Sequence, residues 1–255
     1  MKKNIIVLFS LIIVMNTSFA KCKAGGIQFY PEQKEISLNS KFIIQGFDKS
    51  QKTIENLRNE EIFLISEQGE IINLELLKVL KGQKKLTQAI FKPTKELKPN
   101  TLYFLKHSKD SLTEKNKFTK WNSKNKKFEN VNWKTTNQKK AELPNSDLKI
   151  DYIKTEIISY GCGPSVNAVF NVKNKSEIEI WYKTELVDLS SNENTIYYIK
   201  ANNVDLNVGH GMCAGAFKYN REGTYKVRFT PTNIGGESLF TTEWITFNSP
   251  YMNLK

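Results

Sequence analysis

The chain has 255 residues, 39% hydrophobic and 11% aromatic, with 38 Lys and Arg against 26 Asp and Glu. That length suits one large domain or two ordinary ones with packed cores, whereas two His and three Cys are too few for a multi-metal enzyme or a disulfide-dense miniature scaffold. Beyond residue 20 no stretch approaches the roughly 18 apolar positions of a spanning helix, so no transmembrane segment is expected in the mature chain.

At the N-terminus, Lys2 and Lys3 precede an apolar run from Ile5 to Met15, polar Asn16-Thr17-Ser18 and then Phe19-Ala20. A positive start, a short apolar centre and small residues at Ser18 and Ala20 predict a secretory signal peptide over residues 1–20. Cleavage after Ala20 removes two lysines and lowers the formal charge from +12 to +10. Lys21 stands where a lipoprotein signal carries a small residue, which argues against lipidation of Cys22. The expected location is outside the cytoplasm: periplasmic, cell-surface or extracellular.

Over residues 21–140, short β-branched and aromatic runs alternate with turn residues. Strands are predicted near Ile27–Tyr30, Lys41–Phe47, Ile62–Ser66, Ile71–Val79, Leu86–Phe91, Tyr103–His107 and Val131–Thr136, with Asp48-Lys-Ser-Gln, Gln68-Gly69 and Lys81-Gly82-Gln83 as turns. Ile71–Leu80 also fits a helical period, but Gly69 and Gly82 at its ends favour a strand. Of the basic residues 35 are Lys, and those between Lys106 and Lys140 give that segment a net charge of +8, whereas residues 147–255 carry −1. Codon bias explains a lysine-rich chain in general but not this concentration. Lys117, Lys120, Lys124, Lys126 and Lys127 interleave with Phe118, Trp121, Phe128 and Trp133. Such a basic hairpin over 106–140 offers an anionic surface a salt-sensitive site; its ordinary alternative is a solvated hairpin whose aromatics pack inward. Nucleic acid is not expected as a partner, because arginine, the better phosphate fork, is nearly absent.

Residues 141–147, around Leu143-Pro144-Asn145-Ser146, read as a linker. From 148 to 255 strands are predicted at Leu148–Ile158, Ser165–Val172, Glu177–Leu189, Thr195–Lys200, Val204–Val208, Ala214–Tyr219, Thr224–Thr230 and Thr241–Asn248. Leu97-Lys-Pro99-Asn-Thr101-Leu-Tyr103 resembles the turn and strand that carry the tyrosine corner of fibronectin type III and bacterial immunoglobulin-like domains. Arg221-Glu-Gly-Thr-Tyr225, continuing through Pro231 to Asn233-Ile-Gly-Gly236, is similar to the same strand and its hairpin, without the leucine and proline expected before the tyrosine. The resemblance implies that the Tyr103 and Tyr225 hydroxyls bond a backbone carbonyl a few residues upstream. The fold expected is therefore all-β: two immunoglobulin-like β-sandwich domains in tandem after the signal peptide, the second fibronectin type III-like.

Export permits disulfides, and three cysteines allow one bond. Cys162–Cys213 is the predicted pair, because both lie in small-residue clusters of the second half; a bond from Cys22 to either remains open. His210-Gly-Met-Cys213 is the one place where His and Cys sit close in sequence. His210, Cys213 and Cys162 are one ligand short of a closed zinc site, and Glu60-Glu61 point to opposite faces of a strand. With no G-x-S-x-G, Walker, H-E-x-x-H, calcium-loop or dinucleotide motif, neither a catalytic residue nor a cofactor nor a metal is assigned. The function expected is that of an exported, bacterial, non-catalytic binding or structural protein whose partner is an unknown protein or polysaccharide. Two other functions stay open: a secreted hydrolase or inhibitor with its site near His210, and electrostatic attachment to an anionic envelope polymer through 106–140.

Overall fold

A computed structural model describes Cys22 and residues 25–108 and 118–253. The signal segment and Lys117 lie outside the described residues. The protein is predominantly β, with several sheets, and among the described residues no helix is long and apolar enough to cross a membrane.

The first half builds one hydrogen-bonded ladder of eight strands in the order β1-β3-β6-β5-β4-β7-β10-β2. These are β1 (Gly25–Tyr30), β2 (Glu35–Ile36), β3 (Phe42–Asp48), β4 (Ile62–Ser66), β5 (Ile71–Lys81), β6 (Leu86–Pro93), β7 (Leu102–His107) and β10 (Asn132–Thr135). Period-two burial explains them: Tyr103, Leu105 and His107 of β7 point inward while Leu102, Phe104 and Lys106 do not. β5 is a strand throughout, and it serves both layers. Ile71–Leu74 pair with β4 and Leu74–Lys81 pair with β6, the latter pairing interrupted by a register shift at Leu76/Lys78. Phe42 and Trp133, from strands well separated in the ladder, meet at 4.7 Å, so the ladder folds face to face around its core. All its pairings are antiparallel except β10 with β2. The turn expected at Asp48 is longer than predicted. It contains α1 (Ser50–Asn56), which buries Ile54 against β3 and β6. Between β7 and β10 stands a separate two-stranded hairpin, β8 (Thr119–Asn122) and β9 (Lys127–Asn130).

The second half has three strands facing four. β11 (Lys149–Tyr160), β12 (Gly163–Lys173) and β15 (Asp205–His210) form one sheet. β14 (Asn194–Ile199), β13 (Trp181–Asp188), β16 (Thr224–Thr232) and β17 (Ile245–Asn248) form the other. Phe170 of β12 meets Phe229 of β16 at 5.0 Å, which places the core between the sheets. Tyr225, Val227 and Phe229 are buried on β16, and Lys226 and Arg228 between them lean over the Trp244 ring at 4.8 and 4.6 Å. Glu185 holds Arg228 at 2.8 Å and Lys183 at 2.9 Å. Burial alone raises its pKa, but these two cations outweigh burial and hold the carboxyl below its usual range. The predicted strand at Ala214–Tyr219 does not form. That segment turns toward the first half, where Lys84 and Gly215 exchange backbone hydrogen bonds of 3.2 and 2.8 Å and Gln83 N donates to Ala216 O at 2.9 Å.

The predicted Cys162–Cys213 bond is not made; the disulfide joins Cys22 to Cys213, with Cα atoms 5.6 Å apart. Cys162 occupies the β11–β12 turn and Cys213 the loop after β15. Because Val166 pairs with His210, both lie at the same end of their sheet, yet the partner comes from the other half, 191 residues away. Other contacts also join the halves. Glu179 Oε2 accepts the main-chain N–H groups of Glu32 at 2.7 Å and Gln33 at 3.0 Å, and Lys41 N donates to Ile234 O at 2.8 Å. The buried apolar side chains form one continuous cluster across both.

Candidate functional site

A cleft of about 370 Å3 opens where the two halves meet. On its first-half wall, beside Tyr30, Ile43 and Leu86, Gln45 and Gln88 belong to a cross-strand row of amides that continues to Gln28. Gln45 Nε2 donates to Gln28 Oε1 at 2.6 Å, and Gln88 Nε2 donates to Gln45 Oε1 at 2.8 Å. Register creates this row, because Gln28 stands opposite Gln45 and Gln45 opposite Gln88. Gln88 also mimics a strand: its amide donates to Tyr198 O at 2.8 Å and accepts from Tyr198 N at 3.3 Å. A side chain thus pairs with the edge of β14, which no backbone strand covers on that side. Tyr197 donates its hydroxyl to Gln45 Oε1 at 3.3 Å. Burial holds the Tyr197 and Tyr198 hydroxyls above their ordinary range, so both remain neutral.

His210 closes one end of the cleft at the tip of β15. Two glycines place it. A Cβ on Gly209 would fall 2.1 Å from Val166 O, and one on Gly215 would fall 2.2 Å from His210 Cα, so only glycine lets the loop fold back this closely. His210 Nδ1 lies 2.9 Å from Lys84 Nζ and 2.9 Å from Gly211 O. Desolvation first, and then the Lys84 and Lys218 charges, lower the His210 pKa against the opposing pull of the Gly211 carbonyl. Lys84 is lowered too, chiefly by desolvation and then by Lys218 and Lys85. At the other end Lys200 lies 5.4 Å from the Tyr30 ring centre and is paired with Glu32 at 2.9 Å.

A cleft beside His210 with a perturbed titratable neighbour is what the hydrolase reading requires. The nucleophile is not arranged for it. Ser165 Oγ donates to the main-chain carbonyl of His210 at 3.2 Å and accepts from Asn167 Nδ2 at 2.9 Å, so its proton is not directed at the imidazole. Among the described residues that line the cleft there is no Asp or Glu. Cys213, as a disulfide, is not a thiolate ligand.

The other candidate residues lie elsewhere. Lys120, Trp121 and Lys127 are on the β8–β9 strands, and Lys124 and Lys126 are on the turn between them; none lines the cleft. Phe118 and Trp133 do pack inward, but Trp121 and Phe128 are exposed. The Tyr103 and Tyr225 rings are buried. Their hydroxyls accept main-chain N–H groups five residues upstream, from Lys98 at 2.9 Å and Asn220 at 2.8 Å, where the resemblance implied a carbonyl partner. Sequence reasoning missed the amide row. Each glutamine looks like an ordinary polar strand position until the register aligns them.

No protein-family model matches the chain, and no curated protein matches it. Among solved structures, a pullulanase from Anoxybacillus sp. LM18-11 complexed with maltotriose is 8% identical at a TM-score of 0.26, covering 78% of this chain and 24% of its own. The chain thus spans about a quarter of that protein's length. A cytokine receptor complex is 8% identical over 89% of this chain and 97% of its own at a TM-score of 0.26. The Yersinia pseudotuberculosis adhesin InvE is 11% identical over 89% and 58% at a TM-score of 0.22.

Proposed function

We propose that the chain is an exported, non-catalytic binding protein of two immunoglobulin-like sandwiches, and that its ligand enters the cleft between them. The observation that carries this reading is the cleft itself: about 370 Å3, built from both halves, with aromatic rings, amides and main-chain groups and, among the described residues, no carboxylate in its lining. The three-plus-four sheet pattern of the second half and the burial of the Tyr103 and Tyr225 rings support the sandwich assignment. The disulfide and the signal-like N-terminus support export.

Soaking crystals with a library of small polar and aromatic fragments tests the site. Fragments should gather in the cleft of the wild type and be displaced by Asn207→Trp, which places a large ring on an exposed part of the lining. Fragments that gather on other surfaces and leave the cleft vacant in the wild type would defeat the proposal.

A further inference from the structure

The β8–β9 hairpin carries a feature unrelated to the cleft. Trp121 and Phe128 face each other across the two strands, their ring centres 5.2 Å apart and their planes at 66°. They are 51% and 68% exposed, whereas Phe118 and Trp133 on either side of the hairpin are 3% and 2% exposed. An exposed cross-strand aromatic pair contributes nothing to the core beneath it. Lys124 and Lys126 stand on the turn next to the pair, whereas Lys120 and Lys127 alternate to the other face of the hairpin, where Lys127 lies 3.9 Å from Glu129; the net charge over residues 119–130 is +3.

The tip is held in shape. Asn122 Oδ1 accepts the N–H groups of Lys124 at 2.9 Å and Asn125 at 3.2 Å, while the Asn122 and Asn125 amides each donate to Glu129 at 2.8 Å. The lysines of the turn are therefore presented from a fixed scaffold. We propose that this hairpin docks on an anionic lipid bilayer, with the Trp121–Phe128 pair entering the headgroup–acyl boundary and the lysines meeting the headgroup charges. Two observations select a bilayer over an acidic polysaccharide. Rings crossed at 66° form a wedge, not the coplanar platform on which a sugar face stacks. Exposed aromatic side chains beside exposed lysines, here Trp121 and Phe128 next to the turn with Lys124 and Lys126, are also the composition of the membrane interface. Charge complementarity supplies the remaining attraction.

The full chain is sedimented with vesicles of phosphatidylcholine alone or mixed 3:1 with phosphatidylglycerol, a composition chosen for roughly physiological anionic charge. The wild type should bind the mixed vesicles, and less so as salt rises. The Lys124→Gln, Lys126→Gln variant should bind on the order of thirtyfold more weakly, at about 1 kcal/mol per lysine, with a flatter salt dependence. Trp121→Ser with Phe128→Ser should weaken binding about tenfold or more while leaving the circular dichroism spectrum and Tm unchanged. Trp121→Phe should keep binding but lose the fluorescence quenching that brominated lipids cause in the wild type. Equal binding of both vesicle types, undiminished binding by the serine variant, or tight binding to soluble heparin without vesicle sedimentation would each overturn the proposal. None of these results depends on whether the cleft holds a ligand.

Discussion

His210 Nδ1 is equidistant, at 2.9 Å, from an ammonium and a carbonyl, and it cannot satisfy both. A bare Nδ1 accepts from Lys84, and Lys84 also donates to Gly211 O at 3.2 Å, so the ammonium bridges two acceptors that do not bond each other, and the proton of the neutral imidazole stands on Nε2. An imidazolium would set an N–H against the ammonium. Burial and neighbouring cations lower the folded pKa, and the unfolded chain takes up a proton near the ordinary 6.5. Between these values the unfolded state binds more protons, so stability falls as pH falls through that window. Thermal melts from pH 7.5 to 5 should show a Tm loss on acidification that His210→Gln reduces. Parallel losses in the two proteins would remove His210 as the source.

Among the elements, the loop from His210 to Gly215 shows what connects the halves and what the sequence does not display. The strands were readable because burial repeats every second residue: Tyr103 and Leu105, or Tyr225, Val227 and Phe229. Ala214–Tyr219 looks similar, with Ala216, Phe217 and Tyr219 buried, but its main-chain hydrogen bonds are divided among Gln83, Lys84, Gly209 and Gly211. α1 escaped notice because seven residues carry too little periodicity to register. The cleft needs both sheet register and the approach of the halves, and neither is local in the chain. The same applies to Cys22–Cys213, whose members are 191 residues apart. Chain entropy gives a closure of that length an upper contribution of about 5 kcal/mol. Cys22→Ser should therefore lower the urea midpoint markedly, and non-reduced peptide mapping of the wild type should recover a Cys22–Cys213 peptide. A Cys162–Cys213 peptide in its place would refute the pairing.

At the scale of the whole molecule, Ala141, at the start of residues 141–147, is tied to both halves. Ala141 O accepts from Asn233 Nδ2 at 2.9 Å, Ala141 N donates to Asn39 Oδ1 at 3.2 Å, and the halves touch again at Glu179, Lys84 and Gln88. A cleft between parts held in this way is pre-formed, which spares a ligand the ordering cost of drawing two domains together. Leu143 is exposed, so limited proteolysis there is the direct check. Protein nicked in 141–147 should elute as one species and run as one band without reductant, separating into two with it. Separation into two fragments without reductant would mean that neither the contacts nor the bond join the halves as described.

The bond between Cys22 and Cys213 also reroutes mechanical load. Tension applied upstream of Cys22 and downstream of Cys213 passes directly through sulfur, so the intervening residues, including every strand of the first ladder, stay slack. Pulled in this way, the oxidised molecule would lengthen by unravelling the residues after Cys213, β16 and β17 among them, and reduction would add the contour of the shielded 191-residue span.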